Sequence, residues 1–205
     1  MTLKEMKIKT FSLIEEYYPD KKDLAEDSDV LNKINGVVNL IQLDLMKYRK
    51  LNASYEVEIT KEDSKTINLK ELLDDLYQLN KLVFDNDVNV DYKMPDDTTI
   101  ILPSDYEGTF TIYYFKYPEL VEIIFEGETE EEREKERLEQ DEDYEFELDL
   151  DVLGVMPYGI ARDLLKMDMI SNYGKYFADE YERLKSTIDP RRNNASIMIS
   201  GGIDV

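Results

Sequence analysis

The stretch DNDVNVD places oxygen-bearing side chains at Asp85, Asp87, Asn89 and Asp91, the alternate spacing with which a calcium loop surrounds its ion. The rest of the template is missing. Val90 stands where the sharp turn needs glycine, Asp96 stands where a bidentate glutamate belongs, and the flanks read as strands rather than helices. The stretch reads as a polar hairpin. A second acidic run, EQDEDYEFELDLD at residues 139–151, offers neighbouring carboxylates for acid–base work. In a chain with 47 acidic residues such neighbours arise by chance, and nothing marks one carboxyl as buried beside another that stays charged.

Other chemistries are limited by composition. With no cysteine there is no thiolate nucleophile, disulfide or cysteine-held metal, and with no histidine the usual general base is missing. Fifteen tyrosines suggest base stacking, but stacking platforms for single strands lie in cationic grooves. The balance of 25 basic to 47 acidic residues gives −22, which opposes binding to phosphates or anionic membranes. No apolar run reaches membrane-spanning length, and the opening MTLKEMKIKTF lacks a signal-peptide hydrophobic region. The expectation is a soluble intracellular protein with no membrane partner. No catalytic residue, cofactor or metal ligand is assigned.

The elements that would position any site follow from periodicity. Leu3, Met6, Phe11, Ile14 and Tyr18 take helical spacing over residues 2–18, closed by Pro19-Asp20. Val30, Ile34, Val37, Ile41, Leu45 and Tyr48 stripe a second helix, with Ser28 or Asp29 as its cap. Gly36 costs that helix about 1 kcal/mol against alanine, which points to a close helix contact. From residue 52 the period becomes two. Tyr55, Val57 and Ile59 alternate with acids, and Asn68 with Glu71 resembles a capping box for a helix over 69–79. KLVFDNDVNVDYK reads as two strands meeting at Asp85-Asn86-Asp87, followed by strands in TTIILP and TFTIYYFKY. The last is apolar on both faces, as a central strand would be.

Residues 126–149 carry 14 acids against Arg133, Lys135 and Arg137, half the net charge of the chain. They read as an acidic loop or a short solvated helix, with Glu131 and Lys135 at i,i+4 spacing, inserted at the edge of the β region. Helical period then returns. Leu150, Leu153, Met156, Ile160, Leu164 and Met167 form one apolar face, in which Pro157 either opens a second helical segment or kinks the first. Tyr173, Phe177, Tyr181, Leu184 and Ile188 stripe a final helix ended by Asp189-Pro190.

The predicted class is α+β. Helices from 1–51 and 150–189 pair as a mainly helical bundle, with a β-rich insertion at 52–125 and an extended tail at 190–205. The expected bundle core is Pro157, Ile160, Leu164, Tyr173, Phe177, Tyr181 and Leu184. In the tail, Ile197 and Ile199 alternate with Ser196, Met198 and Ser200 beyond the basic pair Arg191-Arg192, a pattern that suits either a frayed end or a strand donated to a partner.

The chain resembles the head–tail connector (adaptor) proteins of tailed bacteriophages. The likeness runs from TIYYFKYPE (residues 111–119) through FELDLD and LGVMPYGIARDLLKMD to NYGKYFADEYERLKSTID. Pro157-Tyr158, Ala161 and Asp168 fit the family's pattern, as do Tyr176, Tyr181-Glu182 and Leu184. The departures are Gly159, where an aromatic or aliphatic residue is common, and the long acidic run from Glu128 to Asp143. The resemblance implies a structural, non-enzymatic protein of the virion neck, assembled in host cytoplasm during genome packaging. It forms a ring of about 12 copies under the portal protein. The ring extends the channel used in genome ejection and offers a platform to a downstream tail or neck protein. It also implies portal binding by the tail through Arg191, Arg192, Ile197 and Ile199. DNA passes through such a ring without specific binding, and an acidic lining suits that. Two other classes compete: an acidic DNA mimic that occupies the cleft of a nucleic-acid enzyme, and a magnesium-dependent carboxylate enzyme.

Overall fold

The computed structural model describes residues 1–21, 23–62, 64–85, 88–123, 130–166 and 173–188. The first helix, α1 (Leu3–Tyr17), opens on a reciprocal cap. The Glu5 N–H donates to the Thr2 hydroxyl, and the Thr2 N–H donates to the Glu5 carboxylate, both at 3.2 Å. Leu3, Met6, Phe11 and Ile14 are buried as the stripe requires, and a 3₁₀ turn at Pro19–Lys21 follows the helix. Helix α2 (Ser28–Leu45) is capped by Asp27, not by Ser28 or Asp29. The cap must precede the first helical residue in extended backbone, and the Asp27 carboxylate accepts from the N–H groups of Asp29 and Val30 at 2.9 and 3.4 Å. Tyr48 lies past the end of α2 and is exposed, so the stripe stops at Leu45.

The β region holds two antiparallel sheets. Strands β1 (Leu51–Ile59), β3 (Leu76–Phe84), β4 (Val88–Asn89) and β7 (Gly108–Lys116) form one, in the order β1-β7-β3-β4. The doubly apolar β7 is therefore interior, as its composition predicts. Strands β2 (Thr66–Asn68), β5 (Lys93–Asp96) and β6 (Thr99–Ile101) form the other, in the order β2-β6-β5. Ile59, Ile67, Leu69, Leu82, Ile100, Phe110 and Ile112 join in one core here.

Two local expectations fail in this region. The helix expected over 69–79 is the single turn α3 (Leu69–Leu72). Asn68 does cap it, but Leu73 is extended and Leu76 already pairs with Lys116 of β7. Long-range pairing thus overrides a local cap signal. The second strand of the expected hairpin ends after Val88–Asn89, and Lys93 belongs to the other sheet. Asp85 makes the turn with a φ of 44°, while Asn86 and Asp87 lie outside the described residues.

The acidic segment contains helix α4 (Glu130–Asp143). It packs on α1 rather than on the edge of a sheet, because cations on α1 attract it. The chain continues through α5 (Leu150–Leu153), α6 (Met156–Lys166) and α7 (Tyr173–Lys185). Pro157 falls in the first turn of α6, where a missing N–H breaks no helical bond, so it opens a second segment. Leu150 is 77% exposed, against its expected place in the apolar face. The reason is that α5 closes after one turn at Gly154, which sends Val152 and Leu153 inward and resets the phase. Helix α6 is central, packing against α1, α2 and α7. Leu3, Met6, Ile34, Ile41, Leu45, Val152, Ile160, Leu164 and Tyr181 share its core.

Candidate functional site

The residues singled out for the helical core divide cleanly. Pro157, Ile160 and Leu164 on α6 and Phe177 and Tyr181 on α7 are buried, and Leu184 is half-buried. Tyr173 opens α7 by its backbone, but its side chain is outside what is described. Met167, Asp168, Asp189-Pro190 and the whole tail with Arg191, Arg192, Ile197 and Ile199 lie outside the described residues.

The glycine that sits at a close helix crossing is Gly159, not Gly36. A β-carbon at Gly36 would meet only Ile123, at an ordinary 3.7 Å, and Ile123 is not helical. Over Gly159 lies the ring of Tyr181, whose hydroxyl donates to the Asp44 carboxylate at 2.9 Å. Lys185 donates to the same carboxylate at 3.1 Å. Burial, then the Asp44 carboxylate, pushes the Tyr181 hydroxyl pKa well above the tyrosine range. For Asp44, burial works upward, but the bonds from Tyr181 and Lys185 outweigh it and leave its pKa lowered. The Arg162 guanidinium lies 4.6 Å from the Tyr181 ring centre and Lys185 Nζ lies 4.8 Å from it. At the far end of α7, Tyr17, Tyr18, Tyr158 and Tyr176 surround Phe177 with ring centres between 5.2 and 6.5 Å away.

The acidic run forms a ladder of ion pairs. Asp141 accepts from Lys7 at 2.6 Å, Glu142 pairs with Lys4, Glu147 with Lys116, and Asp151 accepts from Arg49 at 2.5 Å. Its carboxylates thus tie α1, β7 and the turn between α2 and β1 together. Burial lowers the pKa of Lys7, more than its bond to Asp141 raises it. The N-terminus joins the same strap: Thr2 and Glu145 form an antiparallel bridge, with Leu3 N–H to Tyr144 O at 3.0 Å and Phe146 N–H to Met1 O at 3.1 Å. Lys135 pairs with Glu139 at 3.7 Å, and the side chain of Glu131, its expected partner, is outside what is described.

Sequence reasoning missed Lys4, Lys7, Arg49 and Lys116. A signal existed for Lys7, which sits among the apolar residues of the α1 stripe and so had to meet an acid. It also missed the polar row Asn35, Asn39 and Gln42 on α2, which holds residues 117–123 in place. Asn39 acts like a piece of strand, donating to Val121 O and accepting from Val121 N–H, both at 2.8 Å. Asn35 donates to Glu122 O at 3.0 Å, and Tyr144 bridges Gln42 and Glu119 O. Tyr117-Pro118-Glu119, the end of the strand motif, begins this clamped segment.

Of the calcium-like set, Asp85 and Asp91 are exposed, while Asp87 and the Asn89 side chain are outside what is described. Asp96 instead builds a turn, accepting from the Thr98 N–H and hydroxyl at 2.8 and 2.9 Å, and these bonds lower its pKa. Among the described residues no three acidic side chains gather as a metal-binding set, and no helix is long and apolar enough to cross a membrane. A groove of about 450 Å³ lies along the second sheet, lined by Tyr92, Lys93, Ile101, Leu102 and Pro103. No protein-family model matches the chain, and no curated protein matches it.

Proposed function

We propose that the protein is a structural head–tail connector of a tailed bacteriophage, a ring subunit that docks under the portal and extends the DNA channel. One observation supports this above others. Three of the side chains on which the resemblance rests are engaged in packing rather than gathered around a cleft: Pro157, Ala161 and Tyr181 are buried between helices. In this reading the helices of 1–51 and 150–189 make a rigid bundle that shapes the ring, and the β insertion at 52–125 is carried on it. The tail at 190–205, through Arg191, Arg192, Ile197 and Ile199, grips the portal protein. A net charge of −22 per subunit lets duplex DNA slide past without phosphate-binding sites. Neighbouring copies meet through a repeated heterologous contact and close at about 12 subunits. The downstream partner is a tail or neck protein.

Co-sedimentation with purified portal tests the reading. The full chain is expected to travel with the portal, and a chain lacking residues 191–205 is expected to keep its circular dichroism and melting but lose attachment. A full chain that binds a nuclease or polymerase and ignores the portal would instead support the DNA-mimic reading.

A further inference from the structure

The first sheet ends on an unusual edge. Strand β1 pairs with β7 through nine consecutive residues without a register shift, from Leu51 opposite Lys116 to Ile59 opposite Gly108. On its other side it has no strand partner among the described residues. In an antiparallel pair about half the residues of an edge strand aim both N–H and C=O outward, so β1 presents about eight free backbone groups over about 30 Å. Folded proteins usually blunt such edges with proline, lysine, bulges or short length. The other edges here follow that rule. Strand β4 has two residues and pairs only with Val83 and Phe84, but the rest of β3 carries Lys81 and two register shifts; β2 has three residues, and β5 carries Lys93, Pro95 and an irregular register. Strand β1 contains no proline, glycine, lysine or bulge.

The two faces of β1 say what would cover it. Ala53, Tyr55 and Val57 stand opposite Tyr114, Ile112 and Phe110, on the core face of the sheet. Ile112 is fully buried, yet Tyr55 beside it is 40% exposed, because the core face runs out one strand too early. On the other face Glu56 and Glu58 stand opposite Thr111 and Thr109, both carboxylates exposed. Nearby Lys61 pairs with Glu107 instead.

We infer that the β1 edge is a docking site for an extended segment of a partner protein in which apolar and basic residues alternate. Apolar side chains of that segment extend the Tyr55 row, its lysines or arginines sit beside Glu56 and Glu58, and its backbone completes the ladder. A second copy of β1 is not the occupant, since β1 carries no basic residue to meet Glu56 and Glu58. The segment ASIMIS of this chain's own tail has the alternation but carries no basic residue to meet the acids. The inference stands on the sheet geometry and does not depend on the connector reading.

The test is amide hydrogen exchange by NMR on the full chain at physiological salt. One probe is a peptide of about ten residues alternating lysine with valine. The control is its isomer with lysines and valines in separate blocks. The alternating peptide is expected to slow exchange of the outward amides within 51–59 by about tenfold. The block isomer should leave them unchanged. Glu56→Gln with Glu58→Gln should weaken binding by about tenfold, and Tyr55→Lys should abolish the protection. Equal protection by the block isomer, protection outside 51–59, or no protection at millimolar peptide overturns the inference. So does equal protection by a peptide copying residues 193–201, which would give the edge to the chain's own tail.

Discussion

The ring of Tyr181 occupies the space that a side chain on residue 159 would need: a β-carbon there would stand 2.7 Å from Cε2 of Tyr181 and 3.0 Å from Cδ1 of Ile41. Three helices meet at this point, and only glycine lets them approach. Glycine-to-alanine changes inside helices ordinarily stabilise by about 1 kcal/mol. Gly159→Ala is expected to do the opposite, costing about 1–3 kcal/mol through overpacking. Gly36→Ala, with an ordinary contact at 3.7 Å, should stabilise by about 0.5–1 kcal/mol. Thermal melts of the two variants should move in opposite directions, and a shared direction would refute the crossing.

The carboxylate beneath that ring gives the fold a pH dependence. The folded pKa of Asp44 lies below its ordinary 3.8, as the bonds from Tyr181 and Lys185 overcome the effect of burial. A depressed carboxylate stabilises above its unfolded pKa, and that stability disappears as pH falls through the folded pKa. Asp44→Asn should therefore cost about 1–2 kcal/mol near neutrality. The deficit should begin to shrink as pH falls below the ordinary 3.8 and disappear once pH is below the folded pKa. Melting curves of both proteins from neutral pH downward measure it, and a deficit independent of pH would sink the linkage.

The strap holding α4 to α1 predicts an asymmetry between two neighbouring ion pairs. Lys7 and Asp141 have side chains only 8% and 16% exposed, whereas Lys4 and Glu142 are 49% and 59% exposed. Asp141→Ala strands a buried ammonium and should cost about 3 kcal/mol, while Glu142→Ala should change stability by less than about 0.5 kcal/mol. Replacing the pair together, Lys7→Met with Asp141→Leu, should recover most of the loss. Because the folded pKa of Lys7 is lowered, the Asp141→Ala protein should regain stability as pH rises from that pKa toward the ordinary 10.5. Urea titrations at two pH values decide it.

Phe177 is fully buried among four tyrosine rings. Phe177→Ala should cost about 3–5 kcal/mol by leaving a cavity, and Glu134→Ala, on the exposed side of α4, no more than about 0.5 kcal/mol. Equal melting temperatures would rule out this packing.

Much of this was readable from residue types, because burial stripes are local. Leu3, Met6, Ile14, Ile34, Ile41, Ile160, Phe177 and Tyr181 repeat at the helical period and are all buried. What failed depends on neighbours distant in the chain. The one turn after Asn68 obeys its cap, but the residues beyond it pair with β7 across about 40 positions. Nothing local distinguishes Gly159, under a tyrosine ring, from Gly36, where a β-carbon would make only an ordinary contact with Ile123. Leu150 misled because a period was counted through a helix that breaks at Gly154. The ion-pair strap escaped because a run of acids does not reveal which of them meets a cation.

The bridge between Thr2 and Glu145, with α6 packed on both α1 and α2, also sets a timetable. The first two helices leave the ribosome more than a hundred residues ahead of the surfaces that cover Leu3, Ile34 and Ile41. At about 5–20 residues per second their apolar stripes wait on the order of ten seconds for Tyr181 to emerge. Strands β1 to β7, whose partners are nearer in the chain, can pair in the meantime. The helical half therefore closes only after Tyr181 has been made, and until then the nascent chain is a client for any chaperone that holds exposed apolar helices.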